Sequence, residues 1–245
     1  MFNKKMTNFV LLTMFFTLNL LAQDFSSGVK LIKNEKYTEA KKYFSSLLDS
    51  KSKAEAHFYL GQIYFMHNHL DSAYIHYSEG IKSDPDFAAN YAGLCKINLF
   101  NGNSAEGEQD YNRAIDKGEK EPLVYITLSE AYSNPKVKNY DKAIELLNSS
   151  LKLKKKDINS YVSLGKIYLA KGNGTDALKN FSSALDMDPK NPEALSQKAK
   201  VYILISNNDE GIALLNEALT YDPSYSPAYN ELAEVYANLK DYTKA

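Results

Sequence analysis

The sequence contains no tryptophan and only one cysteine, Cys95. A single thiol excludes an internal disulfide and any cysteine-rich zinc site. Neither sign of charge dominates, since 29 lysines and arginines face 30 aspartates and glutamates. That balance supplies no electrostatic drive toward nucleic acid or an anionic membrane surface. The one basic cluster, Lys152, Lys154, Lys155 and Lys156, reads as a solvated helix end, where cations suit the backbone dipole. No G-x-S-x-G elbow, phosphate-cradling glycine loop or H-E-x-x-H motif occurs. After residue 25 no apolar run approaches the ~20 residues that a membrane-spanning helix needs.

The amino terminus has a different character. Lys4 and Lys5 precede an apolar run from Phe9 to Ala22, too short for a span and shaped like a secretory signal peptide. We expect residues 1–22 to be that signal, with cleavage after Ala22 and Gln23 as the new first residue. An uncleaved membrane anchor is the alternative. No cysteine follows the run, so a lipid anchor is not expected.

What the sequence does have is repetition. Residues 57–85, HFYLGQIYFMHNHLDSAYIHYSEGIKSDP, and residues 161–189, YVSLGKIYLAKGNGTDALKNFSSALDMDP, share L-G-x-I-Y, a small residue, an aromatic and D-P at identical offsets. Small residues Gly28, Gly61, Cys95, Ser129, Gly165, Ala199 and Ala233 recur at steps of 33, 34, 34, 36, 34 and 34. A second small column runs Ala40, Ala73, Gly107, Ala143, Ala177, Gly211 and Ala245. Phe44, Tyr77, Tyr111, Leu147, Phe181 and Leu215 form a bulky column, and Gly80, Ala114, Ser150, Ala184 and Ala218 a third small one. Within each unit the apolar spacing is that of two helices, joined by short polar turns such as HNHLD, NGNS and KGNGTD. Pro85, Pro189 and Pro223 stop the second helix, because proline neither continues the ladder nor tolerates helix before it. Small columns permit close helix approach, and bulky ones fill the space between units.

The pattern resembles the tetratricopeptide repeat, whose signature is W-x2-L-G-x2-Y, A-x3-F, A and P. Unit 158–191 supplies Tyr161, Leu164, Gly165, Tyr168, Ala177, Phe181, Ala184 and Pro189; unit 54–87 supplies His57, Leu60, Gly61, Tyr64, Ala73, Tyr77, Gly80 and Pro85. The remaining units are about 21–53, 88–121, 122–157 and 192–225, with an incomplete one at 226–245. Unit 122–157 carries two extra residues near Asn134 to Val137. The first unit is weak in its first helix. The implied fold is all-α, a right-handed solenoid of stacked helix-turn-helix repeats.

The resemblance also implies a role. First helices of such repeats line a concave groove that binds peptides or partner helices. Carried onto this sequence, the groove residues are Phe58, Gln62, Phe65, Lys96, Ile126, Glu130, Val162, Lys166, Leu169, Lys200 and Ile203. No basic residue stands at the fifth position of the units, so the family's carboxylate clamp is not expected. Lys96, Lys166 and Lys200 along an apolar face suit an apolar segment flanked by acidic residues. The bland alternative is that these lysines are merely solvated and the apolar side chains pack on neighbouring helices.

Other candidates resolve toward packing. His67 and His69 lie in one turn, near His57 and His76, but nothing completes a metal set. His57 occupies the family's tryptophan column, and Cys95 a small column where a thiol is buried and inert. N-x-S/T triplets begin at Asn148, Asn173 and Asn180.

We therefore expect a non-catalytic protein–protein interaction scaffold without cofactor or metal. It would be exported to the periplasm or beyond, and its leader and composition resemble envelope repeat proteins of the Bacteroidetes. One rival is a targeting arm for an enzymatic or cell-wall-binding domain beyond residue 245, since the seventh unit stops in mid-repeat. The other is a structural element that self-associates through that unit.

Overall fold

The computed structural model describes residues 25–239. The apolar run Phe9–Ala22 and the end of the seventh unit lie outside them. Among the described residues there are thirteen helices and no strands. Helix α1 covers residues 25–33 and α2 Tyr37–Ser45. There follow α3 (Lys53–Met66), α4 (Leu70–Ser83), α5 (Ala89–Asn101) and α6 (Ser104–Gly118). Then come α7 (Pro122–Ser133), α8 (Tyr140–Leu153), α9 (Ile158–Ala170) and α10 (Gly174–Met187). The last three are α11 (Pro192–Leu204), α12 (Asn208–Tyr221) and α13 (Ser226–Asn238). Odd and even helices pair within each unit, and each pair stacks on the next, as a solenoid of helical repeats requires.

The sequence columns meet each other across these pairs. A methyl group added at Gly61 would lie 2.5 Å from the Tyr77 ring, and one at Gly165 2.3 Å from Phe181. The glycine of each L-G pair is therefore the floor on which the bulky residue of the second helix lies flat. Elsewhere Cys95, Ser129 and Ala199 fill the same column and are buried. The third small column serves the next unit: Gly80 holds the side chain of Asn90, whose Nδ2 donates to the Ala54 carbonyl at 3.1 Å.

The turn inside each unit carries a feature the sequence barely signals. Glu35, Asn68, Gly102, Lys138, Gly172 and Ser206 all have positive φ, between 52° and 82°, at the same spacing as the small columns. In units one, two, three, five and six the next residue donates its N–H to a carbonyl five residues back. Examples are His69 to Tyr64 at 2.9 Å and Asn173 to Tyr168 at 2.8 Å. This is the Schellman closure, and it needs a left-handed residue. Only two of the six positions are glycine, so the column was invisible. In the fourth unit the two extra residues replace this closure, with Asn139 reaching Tyr132 over a longer loop.

At the other end, Asp84, Asp188 and Asp222 cap α4, α10 and α12 with extended backbone. Each carboxylate accepts the N–H two residues on, at 2.9, 3.1 and 3.0 Å. The aspartate of each D-P pair thus turns the chain with its side chain, while the proline prevents the helix from continuing.

Candidate functional site

The first helices of the units form the inner wall of the solenoid, and they line a cavity of about 710 Å³ that stands partly open to solvent. Its lining comes from α1, α3, α5, α7, α9 and α11, together with Asn68 and the loop residues Asn134 and Pro135. No second helix of a unit contributes a lining residue. Phe58, Phe65, Phe100, Ile126 and Val162 make much of it apolar, with Val29 and Ile32 of α1 closing one side.

Of the residues expected in the groove, Phe58, Gln62, Phe65, Lys96, Ile126, Glu130, Val162 and Lys166 line this cavity. Leu169, Lys200 and Ile203 do not. Leu169 and Ile203 pack in the apolar clusters of their own units. Ile203 covers Gly211 of its partner helix, as Leu99 covers Gly107, so position twelve of the unit serves intra-unit packing in units three and six, whereas Ile32, Phe65 and Ser133 at the same position line the cavity. Lys200 pairs with Glu231 at 2.8 Å. What sequence reasoning missed is the contribution of α1: Val29, Ile32 and Lys33. Their unit lacks the column signature in its first helix, and nothing local announces that the first unit faces the fifth and sixth.

The charges on this wall are internally matched. Lys96 is buried, donates to Glu130 at 2.7 Å and Gln62 at 3.0 Å, and sits 4.7 Å above the Phe65 ring. It stitches α3, α5 and α7 together. Lys166 is hydrogen-bonded to Glu193, which also takes Lys33 at 3.0 Å. Burial alone would raise the Glu193 carboxyl, but Lys166 and Lys33 outweigh it and hold it at about 2. The row of lysines that would have met acidic flanks is a row of ion pairs between neighbouring or facing units.

The remaining candidates are structural. Cys95 is fully buried, and burial, with Asp110 and Glu108 nearby, pushes its thiol up to about 12. A thiol so rarely ionised is a poor nucleophile. His57 is buried and its Nδ1 lies 3.0 Å from Nδ1 of His76, so the two rings hydrogen-bond each other. Burial, then the neighbouring His57, lowers His76 to about 4. His67 caps its own helix through the Ile63 carbonyl. Among the described residues no group of three or more potential metal ligands exists, and no helix is long and apolar enough to cross a membrane. The lysines following α8 are exposed, with Lys154 paired to Asp157.

Stacked helical hairpins sharing one inner wall define an α-solenoid. Sequence profiles then specify the repeat: tetratricopeptide-repeat profiles match residues 54–87, 168–217 and 196–245, so the chain carries tetratricopeptide repeats. No curated protein matches the sequence. Among solved structures, a thermophilic repeat protein of this type from Thermus thermophilus is 19% identical, with a TM-score of 0.60 over 75% of this chain and 99% of its own. A tetratricopeptide repeat protein of Parabacteroides merdae is 12% identical, with a TM-score of 0.57 over 90% of this chain and 87% of its own. The pilF protein of Pseudomonas aeruginosa is 15% identical, with a TM-score of 0.54 over 80% of this chain and 88% of its own. At these identities the likeness is one of fold.

Proposed function

We propose that this protein is a non-catalytic scaffold that holds a short apolar segment of a partner protein in its inner cavity. Tetratricopeptide repeats typically mediate protein–protein interaction. The observation that carries the reading is a wall built by six successive first helices around about 710 Å³ of largely apolar space. That volume lies within the ~300–1,000 Å³ common for ligand pockets. It suits a few side chains of an extended segment and excludes a folded domain. Because the lysines are already paired, apolar contact and shape select the segment, and acidic flanks add little. On the strength of Lys4, Lys5 and the run after them, we also place the protein outside the cytoplasm.

The test is affinity capture with the chain from Gln23 onward as bait, comparing Ile126→Lys on the cavity wall with Ile75→Lys on the outer surface. Ile75 is 58% exposed. The partner should be lost from the first variant and retained by the second. Identical capture by both would overturn the assignment of the cavity.

A further inference from the structure

The first unit touches the far end of the solenoid across 126 to 195 residues of sequence. Lys30 pairs with Asp222 at 3.0 Å. Asn34 donates to Asp222 at 3.2 Å and to Ser224 at 2.8 Å. Lys33 bridges Asn159 and Glu193, both at 3.0 Å, and Asn230 donates to Glu35 at 3.1 Å. These contacts join α1 and the α1–α2 turn to α9, α11, the α12–α13 turn and α13, bringing the two ends of the solenoid together beside the cavity.

Among the described residues, the chemistry of this seam differs from that of the junctions between successive units. Successive units are joined by shared apolar clusters, whereas the α1 side chains belong to a cluster that includes only α2, α3 and the turn after α2. No apolar cluster joins unit one to units five, six or seven among the described residues. The seam is polar throughout, and two of its cations, Lys30 and Lys33, remain 62% and 35% exposed. The cations face solvent while their partners Asp222 and Glu193 are largely buried, so salt screens these pairs in part, whereas it does not weaken the apolar junctions. The two ends of the solenoid can therefore part at the seam while the stack stays folded.

We propose that the first unit is a latch, and that opening the Lys30–Asp222, Lys33–Glu193 and Asn34–Asp222–Ser224 seam admits the partner segment to the cavity. Val29, Ile32 and Lys33 of that unit form part of the cavity wall, so the same movement that breaks the seam draws that wall back and widens access to the apolar interior. Asn34 supports a dedicated role. It is 3% exposed, and both of its side-chain hydrogen bonds cross the seam, which no intra-unit requirement explains. The latch rests on the cavity being the binding site, but its opening is measured independently of any partner.

The experiment places spin labels on Glu39→Cys and Asp209→Cys, both exposed, and a separate Ser163→Cys on the cavity wall. Cys95 is buried and does not compete. In the protein with its seam intact, raising salt from about 0.05 M to 1 M should lengthen and broaden the interspin distance. It should also speed reaction of Ser163→Cys with an aromatic disulfide reagent about tenfold, ~1.4 kcal/mol. Lys30→Glu with Lys33→Glu should react fast at both salt concentrations, with an unchanged helical circular dichroism spectrum. Asn34→Ala should fall between. If that double variant does not fold, the salt series on the intact seam decides alone. A distance that never changes, or one that lengthens while Ser163→Cys stays slow, overturns the latch. Loss of latch control leaves the cavity reading standing, and failure to capture a partner leaves the latch standing.

Discussion

Units 54–87 and 158–191 are nearly the same sentence, and they are held together differently. Both lay a bulky ring on the glycine of the L-G pair, and both end in an aspartate-capped turn. In unit 158–191 the helices are capped by their own side chains: Asp157 accepts from Ser160 N–H at 2.9 Å and Asn173 from Asp176 N–H at 3.1 Å. In unit 54–87 neither helix has a side-chain cap. That unit instead carries a web of rings: Phe58 against Tyr59, Tyr77 and Phe87, Phe65 against Phe100, and His76 stacked on Tyr64. Its Tyr77 also puts a hydroxyl where the other unit has Phe181, and its His76 a titratable ring where the other has Asn180. The comparison teaches that the small and bulky columns are the common frame. Capping and aromatic packing are alternative supports for that frame, and both units line the cavity.

The largest effect should come from the shared frame. Gly165→Leu drives a side chain into Phe181 and should destabilise by ~3 kcal/mol or more, with Gly61→Leu against Tyr77 costing about as much. Urea midpoints check this, and a harmless substitution at either site would break the equivalence of the two units. Next comes an exchange of the rings themselves. The Tyr77 hydroxyl is buried without a hydrogen-bond partner among the described residues. Tyr77→Phe should therefore be neutral or stabilise by ~1 kcal/mol, whereas Phe181→Tyr should cost ~1–3 kcal/mol. A loss on Tyr77→Phe would show that the hydroxyl has a role its surroundings do not reveal.

Acid should separate the units further. His76 titrates at about 4 in the fold against 6.5 when unconstrained, and His57 is also lowered, by burial first and then by Lys53, with Glu79 opposing. The unfolded chain thus binds more protons in that window, so stability is full above pH 6.5 and falls as pH drops toward 4. We expect a loss of ~1–2 kcal/mol, discounted for the partial exposure of His76. His76→Asn, which copies Asn180, should flatten the profile over that range; an unchanged slope would mean that the pair contributes nothing to it. The smallest effect is local. Asn173→Ala should cost ~1 kcal/mol through its lost cap, and His69→Asn, at the matching position, should gain a few tenths to ~1 kcal/mol. Thermal midpoints of the two variants should move in opposite directions, and movement in the same direction would contradict the view that capping is what distinguishes these turns.

Much of this was legible in residues. Gly61, Gly165 and their rings declared the contact that holds a unit together, because a side chain missing at the same place in each unit, always paired with a ring, marks a close approach of two helices. Pro85 and Pro189 declared where helices stop. The left-handed turn column stayed hidden because Glu35, Lys138 and Ser206 occupy it as readily as Gly102 and Gly172. On the inner wall, Phe58, Val162 and Lys166 were placed by position within the repeat. Leu169 and Ile203 do not reach the cavity because a residue at the edge of a helix face can turn toward either neighbour, and the packing of its own unit decides.

The sequence alone settled the unit, its two helices and their order, since each column is satisfied by contacts within about 34 residues and periodicity records such contacts directly. Only the tertiary structure decided that Lys33 meets Glu193 and that Asn34 meets Asp222. Those contacts depend on the small rotation added at every junction and summed over the stack, a quantity that no single repeat encodes.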